Sequence, residues 1–218
     1  MLRSLKKNFS YLELPDITNQ IFLLILSVLV VFSSGNILLS VLIPFLNILL
    51  CILIIYFVSH YEKKTEAEKK KKSWSRFLRF WYPSFMILFC FKEIYLIMTG
   101  FDTKLYDPEL ISIDQWMFGV NPTEFLSAFS NPFLTELLQI VYGLFYLMPV
   151  IYAMELYIWH RYEELKYAIF VVFLGFYLSF LGYIVVPAIG PRFTLHDFSN
   201  LNIELPGIFF AEIIRGII

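Results

Sequence analysis

The sequence predicts an all-α fold: a polytopic transmembrane helical bundle of about five spans with its N-terminus inside. Three observations predict it. The 218 residues are 59% hydrophobic and only 16% charged, with mean hydropathy +0.70, whereas ordinary soluble domains carry about 25% charged residues. The apolar excess is gathered in blocks long enough to cross a bilayer, which takes about 20 residues as helix. Lysine and arginine are distributed very unevenly between the segments that join those blocks.

The expected spans run 17–34, 37–58, 80–99, 133–158 and 167–187. Only Gly35-Asn36 separates the first two, which suits a tight helical hairpin. Pro44 and Asn47 interrupt the second, an interruption that a membrane helix tolerates when neighbouring groups serve the freed carbonyl. A cleaved signal peptide is the competing interpretation of the first span, with Arg3, Lys6 and Lys7 as its basic start. Glu13 and Asp16 ahead of the apolar run, the lack of a clear cleavage site and the second span directly after it argue against cleavage.

With the N-terminus inside, the inner segments hold 13 lysines and arginines and the outer segments three, Lys104, Arg192 and Arg215. This bias sets the orientation. It also explains Lys69-Lys70-Lys71-Lys72 as a topology signal with a secondary attraction to anionic headgroups. Net charge is −1, and nothing in the chain points to nucleic acid. The expected domains are an N-terminal hairpin over 1–59, a basic linker over 60–79 and a core over 80–218. Residues 101–132 and everything after Pro187 then face outside.

The outer loop carries structure of its own. Leu110, Ile113, Trp116, Met117 and Val120 recur at helical spacing, which predicts an interfacial amphipathic helix with Trp116 at headgroup depth. Asn121-Pro122 with Glu124 reads as a second helix start with a capping box, and Asn131-Pro132 repeats the signal before the fourth span.

Charges inside a membrane need a reason. Lys92 and Glu93 lie in the outer half of the third span. Adjacent positions on a helix point about 100° apart. Lys92 is therefore expected either to snorkel while Glu93 finds a polar partner, or to share a hydrophilic cavity with it. Glu155 near the inner end of the fourth span reads as structural. Cys51 and Cys90 lie inside apolar blocks without metal-ligand spacing and read as free thiols, so no metal or cofactor is implied. His60 and His160 sit at inner boundaries. His196 stands outside, four residues after Arg192; Asp197 is its neighbour, but no partner carboxylate or second histidine stands at a recognisable catalytic spacing.

The run Tyr183-Ile-Val-Val-Pro-Ala-Ile-Gly-Pro-Arg-Phe193 places an arginine past the end of the last apolar block. A guanidinium at a membrane rim suits a lipid phosphate. Three stretches occur in order: Asp114-x-x-Met-Phe-Gly119-x-x-Pro122, Tyr142-x-x-x-Tyr146-x-x-Pro149, and Pro187-Ala-Ile-Gly190-Pro191-Arg192. With these the chain, over about residues 80–193, resembles the type 2 phosphatidic acid phosphatase superfamily. It is most similar to the branch of the inositol phosphorylceramide synthases, which are inositolphosphotransferases. The resemblance implies a site at the outer face that acts on a phosphorylated lipid or a phospholipid headgroup donor, without cofactor. A nucleophilic histidine would form a phosphohistidine, a second histidine would protonate the leaving group, and lysine and arginine would hold the phosphate. The membrane would be the bacterial cytoplasmic membrane or one of the eukaryotic secretory pathway.

Two departures shape the expectation. Seven positions before Arg192 stands Val185 where the family commonly has lysine, so only Arg192 carries over, with Lys92 as the candidate second cation. The family's Pro-Ser-x-His element, and the Ser-Arg with a following His and Asp, do not occur in residues 1–218. The chain is therefore expected to be the N-terminal part of a longer enzyme, or else an inactive paralogue. A transporter or scaffold without catalysis is the rival class.

Overall fold

The computed structural model describes residues 8–33, 37–65, 73–100, 104–190 and 195. Seven helices of six residues or more occur among them: α1 Leu14–Ser33, α2 Ile37–Glu62, α3 Ser73–Gly100, α4 Asp107–Phe118, α5 Pro122–Ser127, α6 Pro132–Ile158 and α7 Tyr162–Val185. No strand occurs among the described residues. Four helices, α1, α2, α3 and α7, are long and apolar enough to span a membrane, and a fifth if the bent α6 counts as one span. Proline explains the bend, which separates Pro132–Phe145 from Leu147–Ile158. Pro149 has no N–H to give to the carbonyl of position 145, and its ring crowds that carbonyl. The protein is a multi-pass helical membrane protein.

Two compact units divide the chain. The first is residues 1–103 with 155–184, and the second is 104–154 with 185–218. The hairpin α1–α2 and the third helix thus fall in one unit. The turn at 34–36 and the lysine run at 69–72 lie outside the described residues.

The first unit has the polarity of a membrane bundle. Phe32 is 81% and Ile37 82% exposed, while Asp16, Asn19 and Asn47 are fully buried. Apolar side chains face outward, as they do where lipid is the solvent, and polar ones pair inside. α1 contacts both α2 and α3. α7 joins through aromatic rings: Tyr177 stacks on Phe22 at 4.0 Å between centroids, and Phe180 meets Phe22 and Phe91.

One end of this unit is tied by ions. The Arg79 side chain is 4% exposed. Its two terminal nitrogens donate to the two carboxylate oxygens of Asp16 at 3.0 and 2.9 Å, and its Nε donates to Glu62 at 3.1 Å. Glu13 lies 3.4 Å away and also receives Lys166 at 2.7 Å. Tyr82 donates to Asp16 as well. The starts of α1, α3 and α7 and the end of α2 therefore meet at one level, as an up-and-down arrangement requires. Arg76 and Arg79 were counted above as inner-loop charges, and this is corrected. α3 begins at Ser73, so both lie on the helix, and Arg79 is buried rather than solvated. Lys166 likewise lies on α7, and the remaining bias is ten against three.

α6 ends at a left-handed residue. His160 has φ 58°, and the N–H of Arg161 reaches back to the carbonyl of Leu156 at 2.9 Å. This satisfies the last carbonyls of the helix, with histidine in the place that glycine usually takes. His160 is exposed, and so is His60, which stacks on Tyr56.

Candidate functional site

The second unit holds residues 114–122 and 142–149 together with the described part of the third stretch, 187–190, although α7 separates the last from the others in sequence. The arrangement starts at Asp107. Asp107-Pro108 opens α4, with proline where its missing N–H costs nothing. Its carboxylate is not spent on the first turn of its own helix. It accepts the N–H of Ile189 at 3.1 Å and of Gly190 at 2.7 Å, and Asp107 is only 3% exposed. One residue earlier, the N–H of Tyr106 donates to the carbonyl of Pro187 at 2.9 Å. Three hydrogen bonds thus hold the Pro187-Ala-Ile-Gly190 turn against the start of α4.

The turn needs its glycine. Gly190 has φ 93°, a backbone that a side chain disfavours, and a Cβ there would meet nothing within 4 Å. Gly190→Ala is therefore expected to cost about 1–2 kcal/mol through backbone strain alone, read as a lower thermal midpoint with the helix content unchanged.

α4 ends at Gly119, left-handed at φ 73°, whose N–H bonds to the Gln115 carbonyl at 2.9 Å. This is a glycine helix stop, and it accounts structurally for the glycine of the first stretch. Pro122 is the first residue of α5, as expected. The expected capping box is not formed. Asn121 holds the cap position with extended backbone but makes no side-chain cap bond. Its Nδ2 turns to Glu124 at 3.3 Å, leaving its Oδ1 without a partner among the described residues. By contrast, Asn131 Oδ1 accepts the N–H of Leu134 at 2.9 Å and caps α6.

The apolar stripe of α4 is uncovered. Trp116 is 84% exposed, and Leu110, Ile113 and Met117 are exposed beside it, as a helix lying in an interface would present them. Asp114 is exposed on the same helix. Lys104 and Glu109 form an exposed ion pair at its start. The hydrogen bond from Lys104 lowers the Glu109 carboxyl from its ordinary value, and the same bond raises Lys104. The pair's small contribution to stability is therefore present above the ordinary carboxylate range and lost as pH falls through the lowered Glu109 value.

The other expected site residues are placed as follows. Tyr142 is on α6 and exposed. Tyr146 is on the same helix, and its side chain lies outside the described set. Pro187 and Gly190 are in the turn, while Pro191, Arg192 and His196 lie outside the described residues. Lys92 and Glu93 part company on α3: Lys92 is exposed and Glu93 is 4% exposed. Glu93 accepts Asn47 Nδ2 at 3.1 Å. Glu155 is exposed. Cys51 and Cys90 are free and buried. No group of three or more His, Cys, Asp or Glu side chains able to hold a metal occurs among the described residues.

Sequence reasoning missed Asp107. Asp-Pro ahead of an amphipathic stretch marks a helix start and could have found it. Its partners 82 and 83 positions away could not have been foreseen. No family model, curated protein or solved structure matches the chain.

Proposed function

We propose that this membrane protein binds a phosphorylated lipid or a phospholipid headgroup donor at the outer membrane face, in the manner of the lipid-phosphate phosphatases and inositolphosphotransferases it resembles. The supporting observation is the turn at Pro187–Gly190, pinned by buried Asp107. Arg192 follows this turn by two residues in the sequence, and a guanidinium is the group that bidentate phosphate recognition uses. The interfacial stripe of α4 in the same unit suits a ligand that stays in the bilayer.

Binding is the function that residues 1–218 carry. The histidine elements that would form and resolve a phosphohistidine do not occur in them. The purified chain in nanodiscs of neutral lipid is therefore expected to bind phosphatidic acid but to release no phosphate from it. Arg192→Ala is expected to weaken binding by about 10- to 100-fold, the value of a charge-assisted hydrogen-bond pair. Unchanged affinity would remove Arg192 from the site. Phosphate release that disappears in His196→Ala would overturn the non-catalytic assignment. Lys92→Met tests the second cation in the same titration: affinity equal to the parent chain would exclude it.

The rival class, a transporter without catalysis, draws its support from a different place, the polar interior of the first unit.

A further inference from the structure

The inward face of α1 carries polar groups interleaved with Phe22, Leu23, Leu26 and Val30. Asp16, Asn19, Gln20 and Ser27 recur at helical spacing, and all are buried. Across from them, Tyr177 of α7 donates to Asn19 Oδ1, and Gln20 reaches the carbonyl of Cys51 at 3.5 Å. Asn47 of α2 donates from Nδ2 both to the Leu23 carbonyl at 3.3 Å and to Glu93 at 3.1 Å. Cys90, one turn before Glu93, neighbours both Glu93 and Tyr177. This seam lies among four helices long and apolar enough to cross a membrane, and at one end it meets the Arg79–Asp16 cluster through Tyr82.

Glu93 is the anomaly in it. Fourteen residues of helix, about 21 Å, separate it from Arg79. Among the described residues no lysine, arginine or histidine pairs with it, and Lys92 on the same helix is exposed. The groups that face it are Asn47 from α2 and Cys90 from its own helix, and neither is a cation. One amide donor does not offset the desolvation of a carboxylate, which costs several kcal/mol even after relaxation. The cluster at Arg79 shows the contrast: there, buried carboxylate meets guanidinium directly. A second observation concerns its partner. Asn47 is fully buried, and its Oδ1 has no hydrogen-bond partner among the described residues. Its Nδ2 donates to both the Leu23 carbonyl and Glu93, which fixes the nitrogen end of the amide toward the carboxyl. The carbonyl oxygen of a neutral acid accepts that N–H, so the bond does not require a carboxylate.

We propose that Glu93 and Asn47 form an intramembrane proton-binding site, with Glu93 carried as the neutral acid when α1, α2 and α3 are packed as here. The proton is the ligand, the Asn47 amide orients the carboxyl, and the seam past Cys90, Tyr177 and Asn19 leads toward the Arg79 end. An intramembrane acid that is buried and without a cation is where proton-linked movement of helices or of solute begins.

The test uses the full chain in nanodiscs at pH 7. Infrared spectra of protein with and without carbon-13 glutamate are expected to show a protonated-carboxyl carbonyl band that shifts with the label and disappears in Glu93→Gln. Independently, dicyclohexylcarbodiimide adds across the O–H of protonated carboxyls in apolar surroundings. Mass spectrometry of the unmutated chain is expected to place the adduct on Glu93, with labelling falling about tenfold per pH unit once the acid titrates. Absence of a glutamic-acid band at pH 7 overturns the proposal, as does a band unchanged in Glu93→Gln. Suppression of labelling by sodium ions at constant pH also overturns it, because the site then takes a metal cation in place of a proton. If Glu93→Gln does not fold, the labelled band and the position of the adduct in the unmutated chain decide.

Discussion

Replacing Arg79 by methionine is expected to destabilise the first unit by about 3–5 kcal/mol, the cost of leaving one partner of a buried ion pair unpaired. Methionine keeps the length and apolar stem of arginine and removes the charge. Asp16, fully buried, would then face only Tyr82 and the N–H of Glu13 at 2.9 Å. Glu62 and Glu13 would lose a cation as well. The effect should exceed that of any surface ion pair on the chain. The exposed Arg161–Glu164 pair, for example, is worth about 0.2–1 kcal/mol at most. Thermal unfolding in detergent, followed by circular dichroism, measures the change. The double variant Arg79→Met with Asp16→Leu should recover much of the loss, since it removes the stranded charge. If the double variant is no better than Arg79→Met alone, the loss lies in packing and the ionic account of this end is wrong.

Asp107→Ala is expected to release the turn at Pro187–Gly190 at a cost of about 3 kcal/mol, because two N–H groups lose a charged acceptor worth about 1.5–3 kcal/mol each and recover part of it from water. The change is local. Amide exchange at Ile189 and Gly190 should accelerate by about 100-fold, the exponential of that energy. Exchange in α1–α3 should not move. Asp107→Asn keeps one acceptor oxygen and should fall between the two. On the proposed function, Asp107→Ala should also weaken lipid binding without touching the ligand, and Asp107→Asn should partly restore it. Unchanged exchange at positions 189 and 190 would show that the carboxylate is not what holds the turn.

The elements themselves were legible in the sequence to a large extent. Apolar length found the spans, and the spacing of Leu110, Ile113, Trp116 and Met117 found α4, because helical periodicity is a local property of the chain. The ends were less so. α3 starts at Ser73 and not near Phe80, because Trp74, Phe77 and two arginines sit in the first turns, and an arginine with buried carboxylate partners need not stay in the loop. The cap at Asn121 was read correctly as a position and wrongly as a bond. Whether Asn121 faces its own backbone or Glu124 is a rotamer choice that sequence does not encode. At the site, Gly119, Pro122 and Gly190 were recognised as a pattern. Their conformational reasons, two left-handed glycines and a helix-starting proline, belong to the folded backbone.

Glu93 shows the division most clearly. Its presence in an apolar block was plain, and so was the question it raised. The choice between a cavity shared with Lys92 and a polar partner of its own depended on which faces of α3 meet α1 and α2. The sequence by itself determined a multi-pass helical membrane protein, its spans and the order of its motifs, since these follow from hydrophobic length and from residue chemistry along a short stretch. The tertiary structure decided the pairings of Arg79 with Asp16, of Asp107 with Ile189 and Gly190, and of Glu93 with Asn47. Each joins residues 46 to 83 positions apart. Inside a low-dielectric bundle a polar group is stable only with a partner, and which partner it has is fixed by how helices pack, a property no single helix carries.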